Sequence, residues 1–465
     1  MPKKEYVQAK KDIEGLLESA VENLSSGWQE PFITERIYEG ESIVGFKYTD
    51  NALEIQKSLN HSIDSAIVIA ESINAPDFFD YLLGEVKIEG DYRTYTESHV
   101  STDKKYFNFS QKNKKKYFTD KLLLALVNIA PKGSQAFKVR NECTELMVLS
   151  FGGVPADSNV QACVMDCKHI NNFKNLEKLK FYNPKTLINS SELKKLTKLN
   201  DLSIEGSTYE LRVGYDSYYY DELLISESLP DLQSLKSVHI EKDTNKDLSF
   251  LENIKGIQNI SLRHCSNLQS MTGLDVSEVL DLDICESNQV TDTSILNKAV
   301  KVKNVMLSSE GSGTDSDESD KSLNISFVES FGLAESLDIT GCDFSNLTDL
   351  SALANLKRLS IYNPKNLTVF PLLGDNKNLS DLSINAPSLI DLKGIGQCTN
   401  LKTISLSNNK NLNTVEHLKN IKFVDIKLNW SGIKNLDFLE NTQIISSYNH
   451  SLGYNEELDI HEGSF

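Results

Sequence analysis

From Leu146 onward the chain repeats one apolar spacing, in which a large aliphatic residue is followed by another three positions later and by a third two positions after that. Nine of the twelve intervals between the thirteen copies are 22 or 23 residues, and the other three are 30, 36 and 32. The clearest copies are Leu176/Leu179/Phe181, Leu199/Leu202/Ile204, Ile257/Ile260/Leu262, Leu356/Leu359/Ile361, Leu379/Leu382/Ile384 and Leu401/Ile404/Leu406. A fixed period in this range is typical of a solenoid, whose units bury their apolar faces against one another.

Within each unit the second and third apolar residues alternate like those of a strand with one buried face. Many units add apolar residues three and six positions upstream, as at Leu193 and Leu196 before Leu199. A further inward aliphatic is expected eleven positions downstream, at Leu187, Leu268, Val290, Leu367, Ile390 and Leu412. The unit LxxLxxLxxLxL resembles the leucine-rich repeat, and its 22-residue period is most similar to the internalin-type subclass. The resemblance implies an α/β solenoid with a curved parallel sheet of about 12–13 repeats, and it specifies a fold rather than a ligand.

The eighth residue after the first leucine is the turn position that this family usually fills with Asn or Cys. Here it holds Cys265, Cys342 and Asn409 in three units, and proline in others (Pro184, Pro364 and Pro387). The resemblance implies that the side chain satisfies backbone groups inside the turn. Proline instead removes a donor and fixes φ, so the prolines predict a regular variant of the turn.

Residues 1–140 lack the repeat, and their patterns predict an α+β N-terminal domain that precedes the leucine-rich-repeat domain at 141–465. Its predicted elements are helices near 10–25, 51–59, 62–73 and 120–129, and hairpins at 36–48 and 86–96. We expect its last helix to cap the first repeat, because an uncapped solenoid end exposes core. Two long intervals place insertions at 207–228 and 308–322 of the repeat domain.

The composition narrows the partners and the compartment. A net charge of −18 argues against nucleic acid, which requires clustered Lys and Arg. Seven irregularly spaced cysteines form no disulfide framework, which fits a reducing compartment. The N-terminal segment lacks the apolar core of a signal peptide and no window is long enough to cross a membrane, so we expect a cytoplasmic protein. Delivery by leaderless secretion remains an alternative, and the Asn-, Lys- and Ser-rich usage favours a bacterial source.

Two features predict a partner surface on the repeats. The first insertion is rich in tyrosine, which supplies contact area at low entropic cost. Outward strand positions nearby carry five acidic residues and one arginine, so an acidic, aromatic-rimmed surface would suit a basic protein. The predicted contact residues are Asp201, Glu205, Tyr209, Tyr215, Tyr218, Tyr219, Tyr220, His239, Glu241, Arg263, Asp281 and Asp283. The alternatives are a loop whose tyrosines pack back on the solenoid and an ordinary solvated acidic face.

Catalytic and metal motifs are weak. Cys163, Cys167 and His169 form a C-x3-C-x-H run, with Cys143 as a conceivable fourth ligand, but this spacing matches no standard zinc motif. We therefore expect no metal, no cofactor and no catalytic residues.

The sequence thus predicts a non-enzymatic module that binds another protein, such as an inhibitor, an immunity protein or an effector. One alternative is an enzyme whose N-terminal domain is catalytic while the repeats select the substrate. Another is a self-associating scaffold. The oligomeric state is not predicted.

Overall fold

Parallel strands at a 22- to 23-residue spacing dominate the computed structural model of the chain. The structure describes residues 2–26, 33–39, 42–48, 50–83, 86–90, 105–109, 120–149, 163–182, 184–206, 208–213, 216–221, 223–309, 322–395, 398–412, 415–419, 421, 425–429 and 444–448. The chain divides into two units, Met1–Leu235 and Lys236–Phe465, and each is described by itself. The boundary predicted at residue 140 stays a prediction.

The first unit begins with helices and hairpins. Its described helices are α1 (Lys4–Ser26), α2 (Asp50–Ile73), α3 (Pro76–Leu83), α4 (Asp120–Ile129) and α5 (Gln135–Glu142). Its antiparallel hairpins pair β1 (Ile33–Glu39) with β2 (Ser42–Tyr48), and β3 (Val86–Gly90) with β4 (Lys105–Phe109). The two helices predicted at 51–59 and 62–73 are one continuous helix. Strand β3 takes its partner from 105–109 rather than from the predicted 92–96, which lies outside the described residues.

Local chemistry explains where two of these helices begin. Proline opens α3 because its fixed φ suits a first helical turn and its missing N–H is not needed there. Ser134 caps α5, since the amide of Phe137 donates to its hydroxyl at 3.1 Å. Phe78 and Phe79 of α3 are buried, and the ring of Tyr6 lies 5.3 Å from that of Phe78.

The first unit also contains the first repeats. Strands β5 (Glu145–Leu149), β7 (Lys178–Tyr182) and β9 (Asp201–Glu205) form a parallel ladder. Strands β6 (Cys163–Asp166) and β8 (Pro184–Ile188) form a second, two-stranded parallel pair. Strands β10 (Thr208–Val213) and β11 (Asp216–Asp221) form an antiparallel hairpin inside the first predicted insertion.

The second unit contains a ladder of ten parallel strands among its described residues. They are β12 (Ser237–Glu241), β13 (Asn259–Arg263), β14 (Asp281–Cys285), β15 (Asn304–Ser308), β16 (Ser336–Thr340), β17 (Arg358–Tyr362), β18 (Asp381–Asn385), β19 (Thr403–Ser407), β20 (Asp425–Asn429) and β21 (Ile444–Tyr448). Equivalent residues pair directly, as Leu359 with Leu382 and Leu382 with Ile404, so the predicted apolar columns stack in register. The prediction of a leucine-rich-repeat solenoid is confirmed.

Both terminal repeats differ from their predicted register by three residues. Leu146 pairs with Leu179, so it is the second apolar member of its repeat rather than the first. Ile445 likewise pairs with Ile426. The run Leu146–Leu149 offers two alternations of nearly equal hydrophobicity, and pairing with the neighbouring strand selects between them.

The turn after each strand shows why several residues have left-handed backbones. Lys242, His264, Glu286, Asn363 and Asn408 directly follow their strands with φ between 47° and 59°. The amide of each of the first four donates to a carbonyl of the next repeat, as His264 does to Cys285 at 2.9 Å. The left-handed residue turns the chain sharply away from the sheet while keeping its N–H bonded.

The next position in the turn is the buried one that the family resemblance predicted. The side chain of Asn409 is fully buried; its amide donates to the carbonyl of Ile384 at 3.0 Å and its oxygen accepts from the amide of Ala386 at 2.8 Å. Cys265 and Cys342 are buried at the same position in their repeats.

The predicted inward aliphatic is wrong in one repeat. Leu187, Leu268, Val290, Leu367 and Leu412 are buried, whereas Ile390 is 54% exposed and Leu389 is buried in its place. This repeat has no left-handed residue among those following its strand, so the inward position comes one residue earlier.

Candidate functional site

The outward side chains of strands β12 to β17, all in the second unit, line a groove of about 420 Å³, called the sheet groove below. Its polar and charged lining residues are Ser237, His239, Asn259, Ser261, Arg263, Asp281, Asp283, Asn304, Ser336, Asp338 and Arg358, together with Met306. These residues share the outer face of the sheet because successive side chains of a strand point to opposite faces, and the apolar residues between them point into the core. Parallel register then stacks equivalent residues in rows across the sheet.

One row begins with a hydrogen-bonded chain. The hydroxyl of Ser261 donates to Oδ2 of Asp283 at 2.9 Å and lies 2.8 Å from Nδ1 of His239. Because a serine hydroxyl has one hydrogen, this arrangement assigns the donor role toward Ser261 to Nδ1 of His239.

Asp283 is the most heavily bonded carboxylate of the groove. Nε and Nη2 of Arg263 both donate to its Oδ2, at 2.9 and 2.6 Å, which raises the pKa of the Arg263 guanidinium. The thiol of Cys285 donates to Oδ1 at 2.9 Å. Burial and the neighbouring Asp283 raise the pKa of Cys285 to about 12, so this thiol is protonated at neutral pH. The charge of Asp283 is therefore largely compensated within the protein.

Glu241 is compensated in a similar way at the end of β12. Its Oε2 lies 3.6 Å from Nε2 of His239 and its Oε1 lies 3.5 Å from Nζ of Lys242. The neighbouring His239 side chain, together with Lys242 and His264, lowers the pKa of Glu241 to about 2. On the adjacent turns, Nδ1 of His264 lies 2.9 Å from a carboxylate oxygen of Glu286.

Three groove residues retain charge that no described partner balances. Among the side chains that the structure describes, no cation lies within ion-pair distance of Asp281 or Asp338, and no carboxylate lies that close to Arg358. Asp281 is held by neutral amides: Nδ2 of Asn304 donates at 2.5 Å, and Asn259 donates at 2.6 Å in the amide orientation that satisfies both of its ends. The uncompensated charge of the groove is thus two carboxylates and one guanidinium.

Met306 lies between these charges and is 45% exposed. Register pairs it with Asp283 on one side and Asp338 on the other. It is an exposed apolar side chain in a groove whose other exposed lining residues are polar or charged.

The predicted contact residues fall into three places. His239, Arg263, Asp281 and Asp283 line the sheet groove, and Glu241 adjoins it through His239. Asp201 and Glu205 lie on β9 of the first unit, where Glu205 pairs with Lys180.

The tyrosines of the insertion lie on the β10–β11 hairpin of the first unit. Tyr209 pairs with Tyr220, Tyr218 with Leu211 and Tyr219 with Glu210. Tyr215 lies outside the described residues.

The predicted metal candidates are placed as follows. Cys163 begins β6, and its side chain is outside the described set. Cys167 is buried, which raises the pKa of its thiol, and Nε2 of the buried His169 lies 3.6 Å from Oδ1 of Asp64. Among the described side chains, neither Cys167 nor His169 belongs to a group of three or more ligand atoms close enough to share an ion.

A second cavity, of about 360 Å³, lies within the first unit between α2, α4 and the turns at 168–172 and 192–195. Asn128 of α4 is buried there, and its amide donates to the carbonyl of Lys168 at 2.9 Å while its oxygen accepts from the amide of Asn172 at 2.9 Å. The titratable side chains of its lining include Asp64, His169 and Glu192. Asn128 thereby ties the helical region to the turn after β6.

The residue that the sequence reasoning missed is Met306. The signal was present, because an apolar residue at the fourth position after Val302 is an outward position in this repeat. A criterion of charge alone does not select this apolar residue.

Comparisons with known proteins find distant similarity to solved leucine-rich-repeat structures. No protein-family model matches the chain, and no curated protein sequence matches it. A leucine-rich-repeat protein of Leptospira interrogans is similar at 16% identity and a TM-score of 0.38, covering 68% of this chain and 80% of its own. An internalin (inlF) of Listeria monocytogenes is similar at 16% identity and a TM-score of 0.35, covering 67% of this chain and 88% of its own. The chain's own repeats and parallel ladders have the architecture of a leucine-rich-repeat solenoid.

Among the helices in the described part of the chain, none combines the length and the apolar character that a membrane-spanning segment needs.

Proposed function

We propose that this chain is a non-enzymatic module that binds another protein through the sheet groove. The observation that carries the proposal is Met306, an exposed apolar side chain set among the uncompensated charges of Asp281, Asp338 and Arg358. An apolar centre with a polar rim is the usual anatomy of a protein–protein contact. With a volume of about 420 Å³, the groove accommodates several side chains of a partner.

The proposed partner carries basic side chains toward the groove. Two carboxylates without a cation outnumber the one guanidinium without an anion, so the leftover charge is negative. Complementary charge mainly accelerates encounter and selects the partner, while desolvation of the apolar centre contributes most of the affinity. We also propose that the tyrosines of the β10–β11 hairpin, in the first unit, form a contact surface of their own. The roles that fit are inhibitor, immunity protein or effector.

Site-specific photo-crosslinking tests the proposal. A benzophenone amino acid is placed at Met306, or as a matched control at Val369, which is 53% exposed and does not line the groove. Both variants are expressed in the source cell and irradiated. We expect one protein to crosslink from position 306 and not from 369. Crosslinking of the same protein from 369 alone, or from both positions equally, would overturn the assignment of the groove.

Charge substitution supplies a second readout. The double variant Asp281→Lys/Asp338→Lys should lose the crosslinked partner, whereas Asp375→Lys, at an exposed acidic residue outside the groove, should retain it. Retention should weaken as ionic strength rises, because surface charges are screened over about 8 Å at physiological salt. Unchanged capture by the double variant would exclude a basic partner at this surface.

A further inference from the structure

The uncompensated charges of Asp338 and Arg358 follow Met306 in a fixed order across the strands of the sheet groove. This order restricts the possible partners more than the net negative charge does. Along the row of Met306, register places Asp338 directly beside it on β16. Arg358 is on the next strand, paired with Ser336 and therefore displaced by two residues from the row of Asp338. Neighbouring strands are about 4.8 Å apart, so apolar, negative and positive positions follow one another within the span of two partner side chains.

The two opposite charges do not satisfy each other in the structure. The carboxylate of Asp338 and the guanidinium of Arg358 line the same groove, yet they form no ion pair with each other or with any other described side chain. Arg263 and Asp283, by contrast, form an ion pair in which two nitrogens of the guanidinium donate to one carboxylate oxygen. The groove therefore contains one pair of opposite charges that bind each other, Arg263 and Asp283, and one pair that do not, Asp338 and Arg358.

Deepening the proposed function, on which this inference rests, we propose that the groove recognises a dipolar pair of side chains on the partner. A lysine or arginine lays its methylenes on Met306 and its cationic end on Asp338, and an aspartate or glutamate two positions away in the partner pairs with Arg358. Long basic side chains combine an apolar stem with a charged end, which matches the order of Met306 and Asp338. Arginine also offers carboxylates a planar fork of donors, which suits an acidic partner residue at Arg358.

Methionine-methyl NMR of the full chain measures this recognition directly. The chain has five methionines, so a ¹³C-methyl-methionine sample gives a simple spectrum, and Met306→Leu assigns the groove signal. The probes are the capped tripeptides Lys-Gly-Glu, Lys-Gly-Gln, Gln-Gly-Glu and Lys-Gly-Lys. We expect Lys-Gly-Glu to shift the Met306 methyl at the lowest concentration. Each neutralised charge should weaken binding about two- to fivefold, the range of a partly exposed ion pair.

Two variants separate the partners of each charge. Asp338→Asn should abolish the preference for Lys-Gly-Glu over Gln-Gly-Glu, and Arg358→Gln should abolish its preference over Lys-Gly-Gln. Equal binding of Lys-Gly-Lys and Lys-Gly-Glu would overturn the dipolar pair in favour of plain acidity. Stronger lysine binding by Arg358→Gln would show that Arg358 competes for Asp338 instead of receiving an acidic residue, and this also overturns the inference.

The outcome is distinguishable from failure of the proposed function. If the tripeptides leave the Met306 signal unmoved while crosslinking from position 306 still captures a partner, the groove binds protein by other contacts. If crosslinking from position 306 fails while the tripeptide preferences hold, the groove recognises the pair of opposite charges as proposed, but the proposal that it binds a protein partner is wrong.

Discussion

Replacing Asn409 by alanine tests how the turns of the repeats are held. The side chain is fully buried and bonds two backbone groups, the carbonyl of Ile384 and the amide of Ala386. Both of those residues are fully buried as well, so water cannot replace the lost partner without structural change. Leaving a buried polar group unsatisfied costs about 1–3 kcal/mol each, so two such groups predict a loss of roughly 2–6 kcal/mol for the cooperative unit that contains them.

Denaturant unfolding, followed by far-UV circular dichroism, measures the loss as a change in midpoint at constant slope. Asn411→Ala is the matched control, because Nδ2 of Asn411 also donates to a carbonyl of the preceding repeat, that of Pro387 at 2.9 Å, but in an exposed position. Its loss should stay near 0.5–1.5 kcal/mol or below, the typical net value of one hydrogen bond. If Asn409→Ala costs no more than Asn411→Ala, the buried amide does not stabilise the turn as argued.

Three further predictions concern packing, pH and thiol chemistry. Gly273→Ala should destabilise the second unit by roughly 2–5 kcal/mol in thermal unfolding, because φ is +101° and a Cβ would overlap the backbone of Leu248. The pKa of Glu241 is lowered to about 2, so its ionised form should stabilise the fold at any pH above its ordinary pKa. This stabilisation should be lost as the pH falls through about 2, and the difference in stability between wild type and Glu241→Gln should then disappear. Cys285 should alkylate about tenfold or more slowly than a free cysteine at pH 8, and Asp283→Asn should speed it, as followed by peptide mass spectrometry.

Each of these has a control or a contradicting result. Gly332→Ala, where an added Cβ meets its nearest atom at an ordinary 3.6 Å, should be close to neutral. A stability gap for Glu241→Gln that persists unchanged at pH 2 would show that its charge is not what stabilises the fold. Alkylation of Cys285 that is indifferent to Asp283→Asn would show that burial alone protects the thiol.

The interior of the solenoid could be predicted because two independent signals coincide there. At Leu379, Leu382 and Ile384 the period between repeats and the alternation within the strand select the same residues, and all three are buried. At the ends one signal is missing: Leu146 has a repeat on only one side, so its register depends on pairing that the sequence does not display. The prediction that Ile390 is buried was wrong because the number of residues in a turn depends on the backbone conformation, which the apolar pattern does not specify.

The candidate site was predictable to the level of which residues face outward. Alternation placed His239, Asp281 and Asp283 on the outer face, and all three line the sheet groove. It could not show that Arg263 closes onto Asp283, because cross-strand pairing depends on side-chain conformation. Counting charges along the sequence therefore overstated the acidity that a partner would meet.

The uniform register of the ladder has a consequence for how such a chain can change in length. Each strand of the second unit pairs with the next at equivalent positions, as Val305 does with Leu337 and Leu337 with Leu359. Whole repeats outside the groove can then be deleted or duplicated without creating a mismatched seam, whereas a change of one or two residues in a strand turns its apolar face outward. The sheet can thus become longer or shorter only by whole strands, each of which adds or removes about 4.8 Å. A repeat gained or lost beyond β18 would leave the chemistry of the groove unchanged and alter only how much sheet lies beside it.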